Sequence, residues 1–143
     1  MIIVDANVLL HAYDSGSERH GDAARWLEEA LSGDEPVGMP VVNLLAFIRI
    51  STNPRVLESP LDTAEAIAIV ESWMARPQVV MPHLTSGHWS ILAALSREGQ
   101  ARGPMVMDAH VAALAKEHGA VICTTDRDFR RFDIKTIEPV PAR

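Results

Sequence analysis

Short apolar segments of strand-forming residues alternate with longer helical patterns along this 143-residue chain. The first segment, Ile2-Ile3-Val4, is apolar on both faces, which suits a strand buried within a parallel sheet. Strands that alternate with helices favour an α/β fold with a central, mainly parallel sheet of four to five strands flanked by helices. The five predicted strands cover residues 2–4, 37–39, 79–81, 120–124 and 135–138.

The patterns between these segments predict seven helices, the first and last of them short. Asp62 and Ser86 are the predicted N-caps of the fourth and fifth helices, because their side chains can accept a hydrogen bond from the first turn. Pro104 is expected to start the sixth helix and Gly119 to end it. The predicted helices cover residues 8–11, 20–32, 41–50, 62–75, 86–97, 105–118 and 126–132.

The net charge, the cysteine count and the lengths of the apolar runs exclude several classes of protein. The formal net charge is −6, which argues against a strongly basic nucleic-acid binder but not against an enzyme that handles nucleic acid at a local metal site. Cys123 is the only cysteine, so the chain has no intrachain disulfide and no Cys-rich zinc site. No apolar run approaches the ~20 residues of a membrane span, and no basic segment precedes the first apolar run. We therefore expect a cytoplasmic protein that does not associate with membranes.

Acidic residues follow two of the predicted strands directly. Asp5 comes after the first strand and Asp126 after the fourth, so both are expected at the carboxyl edge of the sheet, where Asp108 at the start of the sixth helix can join them. Each also has a structural interpretation: Asp5 could cap a helix, Asp108 could complement a helix dipole, and Thr125 with Asp128 resembles a capping box. Like charges ~4 Å apart repel by about 4 kcal/mol at an effective dielectric near 20. A cluster of these acids therefore needs protons or a cation such as Mg²⁺ or Mn²⁺.

The three acids lie in three motifs, which in chain order are Val4-Asp5-Ala6-Asn7-Val8-Leu9-Leu10, Met107-Asp108-Ala109-His110 and Thr125-Asp126-Arg127-Asp128-Phe129. These motifs resemble the signatures of PIN-domain ribonucleases. A further stretch, residues 47–56, resembles one typical of the actinobacterial branch of VapC-type toxins from toxin–antitoxin pairs. The resemblance implies a single PIN-like domain over residues 1–143 and a Mg²⁺- or Mn²⁺-dependent endoribonuclease that hydrolyses phosphodiester bonds.

The resemblance also implies roles for individual residues. Asp5 and Asp108 match the principal metal ligands of the family, and Asp126 matches a later acid that binds metal directly or through water. The hydroxyl of Thr125 matches a polar position beside it, and Asp128 is a possible supporting acid. In this chemistry the cation lowers the pKa of the water that attacks phosphorus and neutralises charge on the phosphate.

The chain departs from the family pattern at one position. PIN domains usually carry a Glu in the helix after the second strand, and Ala46 is the best match to it here. Three remaining carboxylates can hold one ion, and Asn43, one turn earlier, could add a neutral oxygen or simply form a local hydrogen bond. The missing Glu leaves an alternative open, namely a weakened module that binds RNA or an antitoxin without efficient cleavage. A haloacid-dehalogenase-type phosphotransferase would need a second Asp where Asn7 stands.

Four arginines are candidates for contact with RNA phosphates: Arg49, Arg55, Arg127 and Arg130. They could equally form a solvated face that pairs with neighbouring acids.

The partners follow from the resemblance. They are a VapB-like antitoxin, a structured RNA substrate such as tRNA or rRNA, and a second copy of the chain. The apolar helices at 41–50 and 62–75 are candidate interface elements, although packing in the core explains their apolar residues as well.

Overall fold

The computed structural model describes residues 1–140; residues 141–143, which belong to the predicted domain, lie outside the described residues. The strands are β1 (Ile2–Val4), β2 (Val37–Gly38), β3 (Val79–Val80), β4 (Val121–Cys123) and β5 (Thr136–Ile137). The α-helices are α1 (Ala6–Tyr13), α2 (His20–Ser32), α3 (Val41–Ser51), α4 (Thr63–Met74), α5 (His88–Glu98) and α6 (Met105–His118). A 3₁₀ helix, Arg127–Arg131, lies between β4 and β5. None of the helices within residues 1–140 has the length and hydropathy that a membrane crossing requires.

The five strands form one parallel sheet in the order β3-β2-β1-β4-β5, which confirms the predicted α/β fold. The central strands β1 and β4 are neighbours, and their register places Val4 opposite Cys123. The residues that follow, Asp5 and Thr124, therefore leave the sheet side by side at its carboxyl edge. This pairing of strands distant in sequence is what brings the site together.

Both faces of the sheet are buried, which explains why its strands are apolar without alternation. Successive side chains on a strand point to opposite faces. Ile3 and Ile122 belong to the core formed with α5 and α6, whereas Val4 and Cys123 belong to the core formed with α1 to α4. All four side chains are fully buried. The sheet therefore lies between two helical layers, and its carboxyl edge is left for the site.

The helix ends follow the predicted signals in two places. Asp62 accepts a hydrogen bond from the Glu65 backbone in a capping box, and Gly119 ends α6 in the left-handed conformation with φ 60°. The prediction for Ser86 is wrong, because a tight turn closed by a bond from the His88 N–H to the Thr85 carbonyl makes Gly87 the N-cap. Pro104 stands one residue before the first residue of α6.

The chain after β4 differs from the prediction. The expected helix at 126–132 is the shorter 3₁₀ helix, and the expected capping box of Thr125 and Asp128 is wrong. Asp126 is the N-cap instead, and its Oδ1 accepts a hydrogen bond from the Asp128 N–H at 2.8 Å. The reason is local, because an aspartate readily binds the backbone two residues further along. Asp126 therefore has both a structural role and a place at the predicted site.

A polar network fixes α6 against α5. Glu117 accepts hydrogen bonds from the backbone and hydroxyl of Thr85 and also contacts His88. The second ring nitrogen of His88 lies 3.0 Å from Nδ1 of His110. Burial and the neighbouring His88 lower the pKa of His110. Since α6 carries Asp108 in its first turn, the network helps to hold that carboxylate in position.

Candidate active site

One hydroxyl group joins two of the predicted catalytic acids. Thr124, only 4% exposed, donates its hydroxyl hydrogen to Oδ2 of Asp5 at 2.7 Å, and its Oγ1 accepts a hydrogen bond from the Asp126 N–H at 2.9 Å. The Asn7 amide also approaches this oxygen, at 3.4 Å. Sequence reasoning placed the polar position at Thr125 and missed Thr124. The sequence signal that could have identified Thr124 is a hydroxyl residue at the end of a strand, two positions before an acid.

Asp108 lies at the same carboxyl edge of the sheet, although it belongs to helix α6 and does not follow a strand. Helix α6 leads into β4 and runs antiparallel to it, so the first turn of α6 lies at the carboxyl end of the strands. Burial, followed by repulsion from Asp5, Asp126 and Asp128, raises the pKa of Asp108 to about 7. No hydrogen bond offsets this rise. Asp5, Asp108 and Asp126, called the acid cluster below, therefore share one electrostatic environment.

Asp5 caps a helix and also belongs to the acid cluster. It is the N-cap of α1, and its Oδ1 accepts a hydrogen bond from the Ala6 N–H at 2.8 Å. Burial raises its pKa, while the bonds from Thr124 and Ala6 act in the opposite direction and the charge of Asp126 raises it further. The structural and chemical interpretations of Asp5 are thus compatible, because a carboxylate offers about four acceptor positions.

The chemistry of the acid cluster fits a hard divalent cation. All its donors are carboxylate oxygens, which suit Mg²⁺ and Mn²⁺, and the raised pKa values of Asp5 and Asp108 show the cost of leaving their charges uncompensated. Among residues 1–140, no three His, Cys, Asp or Glu side chains stand in an arrangement that could hold a metal ion. Mutual repulsion keeps ionised carboxylates apart, and a cation favours their approach. The cluster as metal-ligand set stays a prediction.

A cavity of about 870 Å³ opens in front of Asp5 and Asp108, between α3 and α6. Ala46, the residue at the position where the PIN pattern has a Glu, lines the same cavity as the two acids. Asn43, 4% exposed, also lines it and donates its amide hydrogen to the Val4 carbonyl at 2.8 Å. This hydrogen bond differs from the local one considered for Asn43, because its acceptor Val4 lies on β1, and it ties α3 to the end of that strand.

The four candidate arginines are distributed over different surfaces. Arg49 lines the larger cavity. Arg127 and Arg130 line a smaller cleft of about 190 Å³ on the other side of Asp126, together with Thr125. Arg55 lines neither cavity; it is exposed in the loop after α3.

Comparison with known proteins assigns the chain to a family. The family model described as the PIN domain matches residues 2–135. The chain is 45% identical to the ribonuclease VapC37 of Mycobacterium tuberculosis over 133 residues, which cover 93% of this chain and 92% of that one. It is 35% identical to the ribonuclease VapC31 of the same species over 97% of this chain and 99% of that one.

The chain belongs to the VapC family of PIN domains.

Solved structures agree on the fold of this VapC-family chain. M. tuberculosis VapC20, described as a sarcin–ricin loop cleaving toxin, superposes with a TM-score of 0.66 at 22% identity, covering 91% of this chain and 93% of that one. The VapBC2 complex of Rickettsia felis, bound to a promoter DNA fragment, gives a TM-score of 0.69 at 13% identity, covering 96% and 98%. At these identities the likeness concerns the fold. The predicted PIN-like fold is confirmed.

Proposed function

We propose that this VapC-family chain is a toxin that acts as a Mg²⁺- or Mn²⁺-dependent endoribonuclease. The observation that carries the proposal is the acid cluster, in which the Thr124 hydroxyl connects Asp5 to Asp126 and in which the pKa of Asp108 rises to about 7. Strongly perturbed carboxylates that face a cavity are typical of catalytic centres. The relatives described as ribonucleases support RNA as the substrate.

The reaction is hydrolysis of a phosphodiester bond. The oxygen of a water molecule bonds to phosphorus, the bond from phosphorus to one ribose oxygen breaks, and that oxygen takes up a proton. A divalent cation, when bound, supplies positive charge to the phosphate and acidifies water. Asp5 and Asp108 would hold this cation, and Asp126 would complete the set directly or through water. A carboxylate of the cluster orients the attacking water and accepts its proton.

The surrounding arginines favour a polyanionic substrate. Arg49 faces the larger cavity beside Asp5 and Asp108, and Arg127 and Arg130 flank Asp126 on the opposite side. Because the net charge of the chain is −6, local contacts of this kind must provide the attraction to phosphate. We propose a structured RNA such as tRNA or rRNA, and the description of VapC20 as a sarcin–ricin loop cleaving toxin supports rRNA. These substrates place the activity in the cytoplasm.

The larger cavity is the proposed site for a VapB-like antitoxin. Its walls are mostly apolar, with side chains such as Leu45, Ile48 and Met107, and its floor carries Asp5 and Asp108. An amphipathic antitoxin segment could lay its apolar face on these walls and direct a cationic side chain toward the acids. The structural neighbours that are toxin–antitoxin complexes support such a partner.

We also propose that the chain forms a homodimer through α3 and α4. Both helices expose large apolar side chains that do not line the larger cavity, with Val41 48% and Ile67 41% exposed. Light scattering of the purified chain should give twice the mass of 15.6 kDa, and Ile67→Asp should reduce it to the monomer. A monomeric wild type would contradict the proposed dimer.

Ala46 favours a second candidate, a module that captures RNA or an antitoxin without cutting efficiently. The residue lines the cavity beside Asp5 and Asp108, so a carboxylate is missing from the place where the PIN pattern has one. This candidate predicts RNA binding without turnover.

A cleavage assay separates the two candidates. The purified chain is incubated with bulk bacterial tRNA and rRNA in Mg²⁺ or Mn²⁺, and the new RNA ends are sequenced, with Asp5→Ala and Asp108→Ala as controls. The nuclease predicts defined ends that need the cation and disappear in both variants. Equal cleavage by the variants would indicate a contaminating nuclease, and binding without new ends would favour the second candidate.

A further inference from the structure

A second cleft lies beside the acid cluster and has a different character from the larger cavity. It measures about 190 Å³ and is formed where β4, the 3₁₀ helix and β5 meet. Thr124 and Asp126 line it, and Thr124 also binds Asp5, which lines the larger cavity. The cleft and the larger cavity therefore lie on either side of the Asp5–Thr124–Asp126 connection. A chain running across the acids would enter both.

Two cations of the cleft have no carboxylate partner within the described part of the chain. Arg127 and Arg130 are exposed, and neither forms an ion pair within 4.0 Å in residues 1–140. Their neighbour Arg131 is different, because its guanidinium donates a hydrogen bond to the Gly99 carbonyl at 3.2 Å and so holds the loop before α6. Arg127 and Arg130 are thus available for an external anion, whereas Arg131 is used within the fold.

The size and lining of the cleft select the kind of ligand. At about 190 Å³ the cleft is too small for an α-helix of ~10–12 Å diameter. No aromatic side chain from residues 1–140 lines it, so these residues offer no surface for base stacking. The remaining polar groups include the Thr136 hydroxyl and the Glu138 carboxylate. Cations together with hydroxyl and carboxylate groups match a phosphate joined to a sugar.

We propose that this cleft binds the ribose-phosphate of the nucleotide next to the scissile bond. Arg127 and Arg130 bind its phosphate, and Thr136 and Glu138 form hydrogen bonds with its 2′-hydroxyl, the group that distinguishes RNA from DNA. The assignment rests on the proposed ribonuclease function and adds to it a place where the enzyme recognises the sugar. It also adds an RNA contact outside the larger cavity, where the antitoxin is proposed to bind.

The first test measures binding without cleavage. The probe is a short, mixed-sequence, fluorescein-labelled RNA with phosphorothioate linkages, which resist hydrolysis, and its affinity is followed by anisotropy over a range of salt concentrations. Arg127→Gln/Arg130→Gln should weaken binding roughly tenfold or more. It should also lower the slope of log affinity against log salt by about 0.7, since the two arginines bind one phosphate and each phosphate contact on a single strand contributes ~0.7.

The matched control is Arg25→Gln/Arg97→Gln. These arginines are exposed, line neither cavity and give the same change in net charge. We expect them to leave the slope nearly unchanged. Equal slopes for the two double variants would show that only bulk charge matters and would overturn the assignment of the phosphate.

The second test addresses the 2′-hydroxyl. The ratio of affinities for the RNA probe and its DNA counterpart should fall several-fold in Glu138→Ala and in Thr136→Val, because each loses one hydrogen bond to the sugar. The ratio is the informative quantity, since loss of the Glu138 charge strengthens binding of both strands alike. An unchanged ratio in both variants would overturn this part of the proposal.

These measurements are independent of the cleavage assay. If cleavage fails while the slope and the ratio change as expected, the ribonuclease proposal is wrong and the cleft remains an RNA-binding subsite. If Asp108→Ala abolishes cleavage while the two arginine pairs behave alike, the ribonuclease stands and the subsite is wrong.

Discussion

Neutralising Asp108 should stabilise the metal-free protein. The Asp108 carboxylate is half-buried, faces three other acids and has no hydrogen bond that offsets its raised pKa. Asp108→Asn keeps the shape of the side chain and removes the charge. We therefore expect a gain in the free energy of unfolding, although the variant loses a proposed metal ligand.

The size of the gain follows from the pKa. A value of about 7 in place of the ordinary 3.8 sets an upper limit of about 4 kcal/mol at ~1.36 kcal/mol per pKa unit. Because the side chain is only half-buried, solvent reduces both the cost of burying the charge and the repulsion from the other acids, and we expect about 1–2 kcal/mol. For a chain of this length that corresponds to a rise in Tm of roughly 3–8 °C.

The effect should depend on pH in a defined direction. In the folded state Asp108 keeps its proton up to about pH 7, whereas in the unfolded state it ionises near 3.8. Between these values the folded state binds more protons, so wild-type stability falls as the pH rises and levels off above 7. The advantage of Asp108→Asn should therefore be largest at pH 8 and shrink toward pH 5.

The assay is thermal unfolding of both proteins in EDTA between pH 5 and 8, with Asp34→Asn as a control at an exposed turn. Addition of Mn²⁺ should raise the Tm of the wild type much more than that of Asp108→Asn, because the cation binds the folded state only. If Asp108→Asn is no more stable than the wild type at pH 8 in EDTA, neither burial nor repulsion penalises the Asp108 charge, and the electrostatic reasoning is refuted.

Three further substitutions test other parts of the site. Ala46→Glu should tighten Mn²⁺ binding roughly tenfold in calorimetry, because it adds a carboxylate to the cavity that Asp5 and Asp108 line. If Mn²⁺ binding does not tighten, residue 46 lies away from the cation. Thr124→Val should lower kcat about 10- to 100-fold in the cleavage assay, because it removes the hydroxyl that connects Asp5 to Asp126. Circular dichroism should stay native, and full activity would show that this hydroxyl is dispensable. Gly99→Ala should destabilise the fold by about 1–3 kcal/mol in urea unfolding, because the added Cβ would stand 2.8 Å from the Phe132 ring; unchanged stability would show that the ring moves freely.

The architecture could be predicted because it depends on patterns that span many residues. The alternation of apolar strands with helices indicated the parallel sheet, and the meeting of strand ends at one edge predicted that Asp5 and Asp126 would lie near each other. The structure places both next to Thr124. Helix signals with strong local preference, such as the cap at Asp62 and the end at Gly119, were also confirmed.

The sequence could not predict which neighbouring side chain makes a given hydrogen bond. Thr124 and Thr125 are adjacent, and only the register of β1 against β4 decides that Thr124 stands beside Asp5. Similarly, the sequence indicated a capping box of Thr125 and Asp128, whereas the backbone after β4 makes Asp126 the cap. Such choices depend on tertiary pairing rather than on local preference.

The sequence also could not predict that two arginines line one small cleft. Arg127, Arg130 and Arg131 form one basic run, yet the structure directs Arg131 to the Gly99 carbonyl and leaves the other two at the cleft. This contact depends on the loop before α6. That loop is distant in sequence from the 3₁₀ helix, and the two meet only in the folded chain. A basic run alone did not distinguish these roles.

Anomalous diffraction from a crystal soaked in Mn²⁺ shows directly whether the acid cluster binds a divalent cation. We expect one strong anomalous peak bonded to Asp5 and Asp108, within reach of Asp126 directly or through water, and no peak at that place in Asp108→Asn. A wild-type crystal saturated with Mn²⁺ that shows no peak there, or a peak that survives in Asp108→Asn, would contradict this expectation.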